Sequence, residues 1–169
     1  MKMGVKIKKS GIAGKGVVAE RAYSKGELII QPKGRILHSR KINWKSKEKY
    51  GMNYLQVSPW KYLEPVDPLL RYINHSCNPD MGYKSIKGKP SFIAIKKIKK
   101  GQELDFDYST TMLEEWDEDI SSLRKCTCGS KNCREYIRDF RNLPKKTQKR
   151  YISLGVVPDY ILKHMKRKK

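Results

Sequence analysis

The sequence has no apolar run near the roughly 20 residues that a membrane-spanning helix needs, and its amino terminus lacks the continuous apolar core of a secretory signal. An intracellular protein is therefore expected, in a compartment where thiols stay reduced. Cysteine is scarce, with four in 169 residues, so a disulfide scaffold is not expected and the four thiols need another purpose. Acid is scarce too: 17 Asp and Glu against 38 Lys and Arg leave a net charge of +21. Such a balance makes polyanions expected neighbours, without naming a site. The acids are also unevenly spread, since Glu114, Glu115, Asp117, Glu118 and Asp119 fall in one short segment devoid of Lys and Arg. With 38% hydrophobic residues the chain still has enough apolar side chains to fold rather than remain disordered.

Long amphipathic patterns are absent from the first half. Short apolar runs bounded by glycine, proline and polar turns predict strands around Val5 and Ile7 and at 16–20, 27–31, 52–57, 91–95 and 102–106. Pro65, Asp67 and Pro68 precede a Leu-Leu-Arg-Tyr-Ile run that predicts one helical turn before Asn74. The carboxyl end differs. Pro144 is placed to open a helix and Gly155 to close it, and 159–165 predicts a second short helix.

Three cysteines are packed into Cys126-Thr-Cys128-Gly-Ser-Lys-Asn-Cys133, and Cys77 stands about fifty positions earlier. Buried free thiols are common, but three within eight residues, flanked by Arg124, Lys125, Lys131 and Arg134, suit a core poorly. Four thiolates close a tetrahedral zinc site, and the small residues between them let the backbone wrap one ion. Cys77, Cys126, Cys128 and Cys133 are the expected ligands.

A second dense cluster, Arg71-Tyr-Ile-Asn74-His75-Ser-Cys77-Asn-Pro79, is followed by Glu103-Leu-Asp-Phe106-Asp-Tyr108. Taken singly, an Asn-His pair reads as a turn cap and Phe-Asp-Tyr as a strand end. Together with Gly14-Lys15-Gly16 before them and the Cys-x-Cys-x4-Cys-Arg segment after them, they resemble a SET-domain protein-lysine N-methyltransferase with a post-SET zinc segment, over roughly residues 4–140.

The resemblance implies a mainly β (α+β) fold of small curved sheets with a knot-like crossing, with short helices at the carboxyl end. It implies S-adenosyl-L-methionine and zinc as cofactors and a lysine side chain as methyl acceptor. Gly14, Lys15 and Gly16 would meet the cofactor with their backbone, Arg71, Asn74 and His75 would hold it, and Tyr108 would be catalytic. Tyr54, Phe106 and Tyr136 would line the substrate channel, with Tyr54 preferred to its neighbour Asn53. A Phe at 106, having no hydroxyl to hold a water against the amine, would favour di- or trimethylation. The implied organisation is a SET domain over 1–112, an acidic connecting segment over 113–124, a zinc segment over 125–141 and a basic extension over 142–169. Two positions depart from the family pattern: Asp80 where Asn is frequent, and Glu135 where Gly is common.

The expected substrate is a lysine-rich protein, a histone or another basic, DNA-associated one, and the basic runs at 84–100 and 163–169 predict non-specific nucleic-acid contact. The rival reading is a zinc-bearing chromatin or nucleic-acid binding module with lapsed catalysis. Tyr108 beside an intact Asn74-His75 pair argues against it, because a binding module has no need of the phenol.

Overall fold

A computed structural model describes residues 4–42, 54–66, 68–113 and 125–167. Ten strands come first: β1 (Val5–Lys9), β2 (Lys15–Ala19), β3 (Leu28–Ile30), β4 (Gly34–His38), β5 (Leu55–Ser58), β6 (Lys61–Pro65), β7 (Asn74–His75), β8 (Met81–Ile86), β9 (Lys89–Ala94) and β10 (Glu103–Phe106). Helices α1 (Lys145–Ser153) and α2 (Asp159–Arg167) follow. The strands form two sheets. The larger runs β1-β2-β10-β8-β9-β3 with β7 added beside β10, and the smaller runs β4-β6-β5. The helix-poor, strand-rich reading of the first half holds. The predicted turn before Asn74 is a 3₁₀ helix over Pro68–Tyr72. Among the described residues no helix is long and apolar enough to cross a membrane.

Strand β9 shows how the larger sheet is stabilised on both faces. Its alternation sends Phe92 and Ala94 into one core with Val17, Ile30, Leu63, Ile73, Met81, Leu104 and Phe106. Ile93, and Ile95 just beyond the strand, face the other core, with Leu113, Phe140, Leu143, Tyr151, Val156 and Ile161. The lysine-rich carboxyl end thus supplies apolar residues that cover the back of the sheet, each worth about 1.5–3 kcal/mol when fully buried. Close approach there depends on Gly82, where a Cβ would lie 2.5 Å from Val156 Cγ1 and 2.9 Å from Ile95 Cγ2. Helix α1 stops as predicted: Gly155 takes φ +64°, its N–H bonds the Ile152 carbonyl at 2.9 Å and the Val156 N–H bonds that of Tyr151 at 3.2 Å.

Four strands were not evident from pattern. Strand β4 is largely exposed and has no clean alternation, β6 is its antiparallel partner, and β7 is only two residues long. The β8–β9 hairpin turns on Lys87-Gly88, with φ of +50° and +74°, the geometry of a two-residue type I′ connection. A Lys in that first position is an uncommon signal, which is why β8 is invisible beside the apolar run of β9.

Asp80, one of the departures noted above, is buried and salt-bridged to Lys96 at 2.7 Å, and it accepts a bond from Gln102 Nε2 at 2.7 Å. Its own N–H donates to Asp105 Oδ1 at 2.9 Å. Burial, reinforced by the Asp80 carboxylate, pushes Asp105 up to about 7 from an ordinary 3.8. Between those values the folded chain keeps a proton that the unfolded chain has released, so this site contributes stability that declines as pH rises from about 4 to about 7 and stays low above that. Asp105→Asn retains the acceptor oxygen without the charge. The variant is expected to melt above the parent at pH 8 and close to it at pH 5, as followed by circular dichroism. An equal loss of stability at both pH values would show that the carboxyl is needed for something other than its acceptor oxygen.

Candidate functional site

The site forms where two sequence-distant segments lie side by side. Strand β7 pairs in parallel with β10, matching Asn74 to Asp105 and His75 to Phe106, and the chain then runs on into Asp107 and Tyr108. Tyr108 is fixed from three directions. Its hydroxyl donates to the Ile73 carbonyl at 2.6 Å, its backbone N–H donates to His75 Nδ1 at 3.2 Å, and its ring lies 4.9 Å from that of Phe106 and 5.3 Å from that of His75. Phe106 is buried and also meets Phe92 edge-on at 4.8 Å, so its ring is part of an apolar wall.

Burial, aided by Arg134 and opposed by Asp107, holds the His75 imidazole down to about 4, so the ring is neutral at pH 7. Because Nδ1 accepts the Tyr108 N–H, the neutral ring carries its proton on Nε2, which lies 3.5 Å from Cys77 Sγ. The 3.6 Å approach of Asp107 Oδ1 to Nδ1 is therefore not an ion pair.

Asn74 holds the glycine loop. Its side-chain N–H₂ group reaches the Lys15 carbonyl at 3.1 Å, Ser10 Oγ at 3.0 Å and Glu103 Oε1 at 2.8 Å, while Ser10 Oγ donates to the same Glu103 oxygen at 2.6 Å. A Cβ at Gly16 would displace the Glu103 carboxylate from the position in which it accepts from Ser10 and Asn74. Gly14 needs glycine for a different reason: its φ is +48° and the space around it is open. A cavity of about 650 Å³ adjoins it, lined by Gly14, Lys15, Pro68, Tyr72 and the end of β1. Lys15 Nζ stands 5.6 Å from the centre of the Tyr72 ring. Room, a cation and an aromatic wall beside bare backbone fit a small molecule bearing both a carboxylate and an aromatic base, as S-adenosylmethionine does. Arg71, at the end of the 3₁₀ helix, is exposed.

The four sulfurs of Cys77, Cys126, Cys128 and Cys133 all lie within 4.8 Å of one another, and those of Cys77 and Cys126 are 3.8 Å apart, close to the edge of a tetrahedron with about 2.3 Å metal–sulfur bonds. Burial pushes the Cys77 thiol up to about 11 and raises that of Cys126 also, so a thiolate at either needs a cation beside it. Backbone N–H groups of Arg134 and Glu135 point at Cys77 and Cys133, each at 3.4 Å, as donors around ligating thiolates do. This donor set fits one tetrahedral metal ion.

Of the remaining channel candidates, Tyr54 donates to Glu64 Oε1 at 3.3 Å, and desolvation together with that carboxylate raises its phenol pKa. Tyr136 sits 41% exposed on the cysteine segment, bridged through its backbone to Lys125. Asn53, the acidic strip Glu114–Asp119 and the last two lysines lie outside the described residues.

The residues missed by sequence reasoning are those that join the parts. Asp107, fully buried, accepts Arg134 Nη2 at 2.8 Å on both oxygens, the Tyr151 hydroxyl at 2.9 Å and the Ser109 N–H at 3.1 Å. The available signals were the acid inside Phe-Asp-Tyr and the arginine directly after Cys133; nothing marks Tyr151 of α1. Glu135 takes φ +63°, which explains in backbone terms why a glycine would suit that position.

Comparison with known proteins agrees with this geometry. The SET domain family matches residues 14–109. Histone-lysine N-methyltransferase 2B of Homo sapiens is 27% identical over 148 residues, covering 80% of this chain and 5% of that protein. Histone-lysine N-methyltransferase ASHH3 of Arabidopsis thaliana is 28% identical over 143 residues, or 78% and 38% of the two chains. The H3 lysine-9 specific KMT1 of Fusarium mangiferae reaches 37% over a shorter 78 residues, 40% of this chain and 23% of that one. The chain thus spans well under half the length of these relatives. Among solved structures, ctPRC2 in an autoinhibited conformation bound to S-adenosylmethionine matches with a TM-score of 0.56 at 23% identity, over 64% of this chain and 15% of that one, which shows a shared fold. With the profile covering more than half its length, and with the Asn-His and Phe-Asp-Tyr segments paired as described, the chain belongs to the SET-domain family.

Proposed function

We propose that this protein transfers methyl groups from S-adenosylmethionine to lysine side chains of a protein substrate, a histone or another lysine-rich, DNA-associated protein. The observation that carries the reading is the Tyr108 phenol, locked to the Ile73 carbonyl beside the Asn74–His75 segment. When bound, the cofactor supplies a methyl already activated on a sulfonium, so the protein needs to contribute orientation and exclusion of water more than acid–base chemistry. Tyr108 gives its proton to the Ile73 carbonyl, so toward the reacting groups its oxygen would act as an acceptor. Asn74 fixes the Gly14–Gly16 loop, Lys15 and Arg71 supply positive charge for a carboxylate, and neutral His75 orients the Tyr108 backbone. A lysine amine would have to arrive as the neutral base to take that methyl and would then lose a proton to solvent, with the donor sulfur left uncharged. Supporting this, the three relatives described above all carry names of histone-lysine methyltransferases. Mass spectrometry of a basic protein mixture incubated with enzyme and cofactor tests it directly. No mass increase of 14 Da or its multiples on any lysine would refute the activity.

Residues 1–112 read as the catalytic domain and 125–141 as a segment folded around one zinc, and Tyr136 and Tyr54 would line the substrate channel. Basic residues of 84–100 and the carboxyl extension would add salt-sensitive contact with nucleic acid. Elemental analysis is expected to find one zinc per chain, and Cys77→Ser to lose most of it, because three thiolates leave the tetrahedron open. Full zinc content in that variant would remove Cys77 from the ligand set.

Tyr108→Phe keeps the ring packing and removes one oriented oxygen. It is expected to lower the methyl-transfer rate at saturating cofactor by about 100-fold or more, with cofactor affinity nearly unchanged by calorimetry. A parent-like rate would reassign catalysis.

Phe106 bears no group able to hold a water near the amine, so the enzyme is expected to proceed to di- or trimethyl-lysine. Phe106→Tyr should move the product distribution toward monomethyl-lysine with little loss of the first transfer. A parent enzyme that stops at one methyl in excess cofactor would show that the wall at 106 does not set product number.

A further inference from the structure

We propose that a second, separate site takes the phosphodiester backbone of a nucleic-acid strand: the cavity enclosed by the three-stranded sheet, the β8–β9 hairpin and helix α2. The inference deepens the reading that the basic surface contacts nucleic acid, by giving that contact a place. The cavity measures about 720 Å³, within the range that holds a ligand of nucleotide size, and shares no lining residue with the Tyr108 site, the glycine loop or the sulfur cluster.

Three elements far apart in sequence each bring one lysine to it: Lys61 from β6, Lys84 from β8 and Lys163 from α2. All three are exposed. Among the described residues the Lys and Arg ion pairs use Lys6, Arg21, Arg35, Lys96, Arg134 and Arg141, and none engages these three. Among the described residues a single carboxylate, Asp159, lines the same cavity. Three lysines against one acid in the described lining, none of the three in an ion pair, leave a net positive potential on this concavity. Point charges on flexible stems suit a backbone of repeating phosphates, which asks for charge rather than for fixed bidentate geometry.

The walls are suited to the sugars and bases between phosphates. Tyr160 is part of the lining, and its hydroxyl is held by donation to the Thr111 carbonyl at 2.5 Å, with the Gln56 carbonyl 3.2 Å away. Exposed lysines also lie next to these elements in the chain: Lys87 and Lys89 at the hairpin tip, and Lys166 about one turn past Lys163.

The test uses the full chain and fluorescence anisotropy with labelled single-stranded and duplex DNA 20-mers, titrated from 50 to 200 mM NaCl. Two charge-matched variants are compared with the parent: Lys61→Gln with Lys84→Gln and Lys163→Gln, and a control of Lys25→Gln with Lys33→Gln and Lys41→Gln, which are exposed outside the cavity and outside both basic runs. The cavity variant is expected to bind at least tenfold more weakly, with the slope of log K against log salt shallower by about 2, and the control to change less than threefold. The single-stranded and duplex arms identify which form the site holds. A parent that binds neither DNA overturns this proposal together with the wider nucleic-acid reading. A parent that binds, with both variants weakened alike, overturns the cavity alone. Equal competition by polyglutamate at the same charge concentration would also overturn it, by showing that the site holds any polyanion. Thermal unfolding and zinc content matching the parent confirm that neither variant is misfolded, and if the triple variant fails that check, Lys84→Gln with Lys163→Gln carries the comparison.

Discussion

The carboxylate of Asp107 is the point through which the parts of this molecule are held together. It is fully buried and receives Arg134 from the cysteine segment, Tyr151 from α1 and the Ser109 N–H from its own turn. A charge in that position is stable only because each oxygen is satisfied; removing one partner of such a buried pair typically costs about 3–5 kcal/mol. The consequence is positional. Tyr108 follows Asp107 directly, so the ion pair that anchors the cysteine segment also anchors the backbone of the phenol, and the same Arg134 offers its N–H to Cys77. The cysteine cluster, the Tyr108 segment and helix α1 are thus joined within two or three hydrogen bonds of one another.

His75 completes that junction. Its ring is neutral, accepts the Tyr108 N–H and turns its other nitrogen toward Cys77. The side chain with the most obvious chemistry in the motif is therefore buried scaffolding between the sulfur cluster and the phenol. Asn74, its neighbour, faces the other way and ties Ser10, Lys15 and Glu103 beneath the glycine loop. Two adjacent residues on a two-residue strand serve opposite ends of the site, which a strand permits because successive side chains leave on opposite faces.

The departures from the family pattern have local physical accounts. Asp80 exchanges an amide for a charge and is matched by Lys96, while the extra negative charge is felt by Asp105. Glu135 occupies a left-handed backbone position, where a side chain other than glycine costs about 1–2 kcal/mol. Its N–H still reaches Cys133, so the sulfur environment survives the strain.

Much of this was legible in the chain itself. Local chemistry marked the cysteine cluster, the Asn-His and Phe-Asp-Tyr segments, the start and end of α1 and most strands of the larger sheet, because turn residues, caps and period-2 alternation act over a few neighbours. Strands β4, β6 and β8 were not legible: β4 is exposed along most of its length, and the β8–β9 turn places a lysine where glycine or asparagine gives the usual signal. The reach of Cys77 across about fifty residues to Cys126 could be guessed only from the number of ligands, and the tertiary fold decided it by pairing β7 with β10. The sequence by itself determined that four thiols, a glycine loop, an Asn-His pair and a phenol are present, in an order that resembles the family. Only the tertiary structure decided that Asp107, Arg134 and Tyr151 meet, and that lysines from three elements surround one cavity, since no local rule relates residues whose proximity depends on the whole chain having packed.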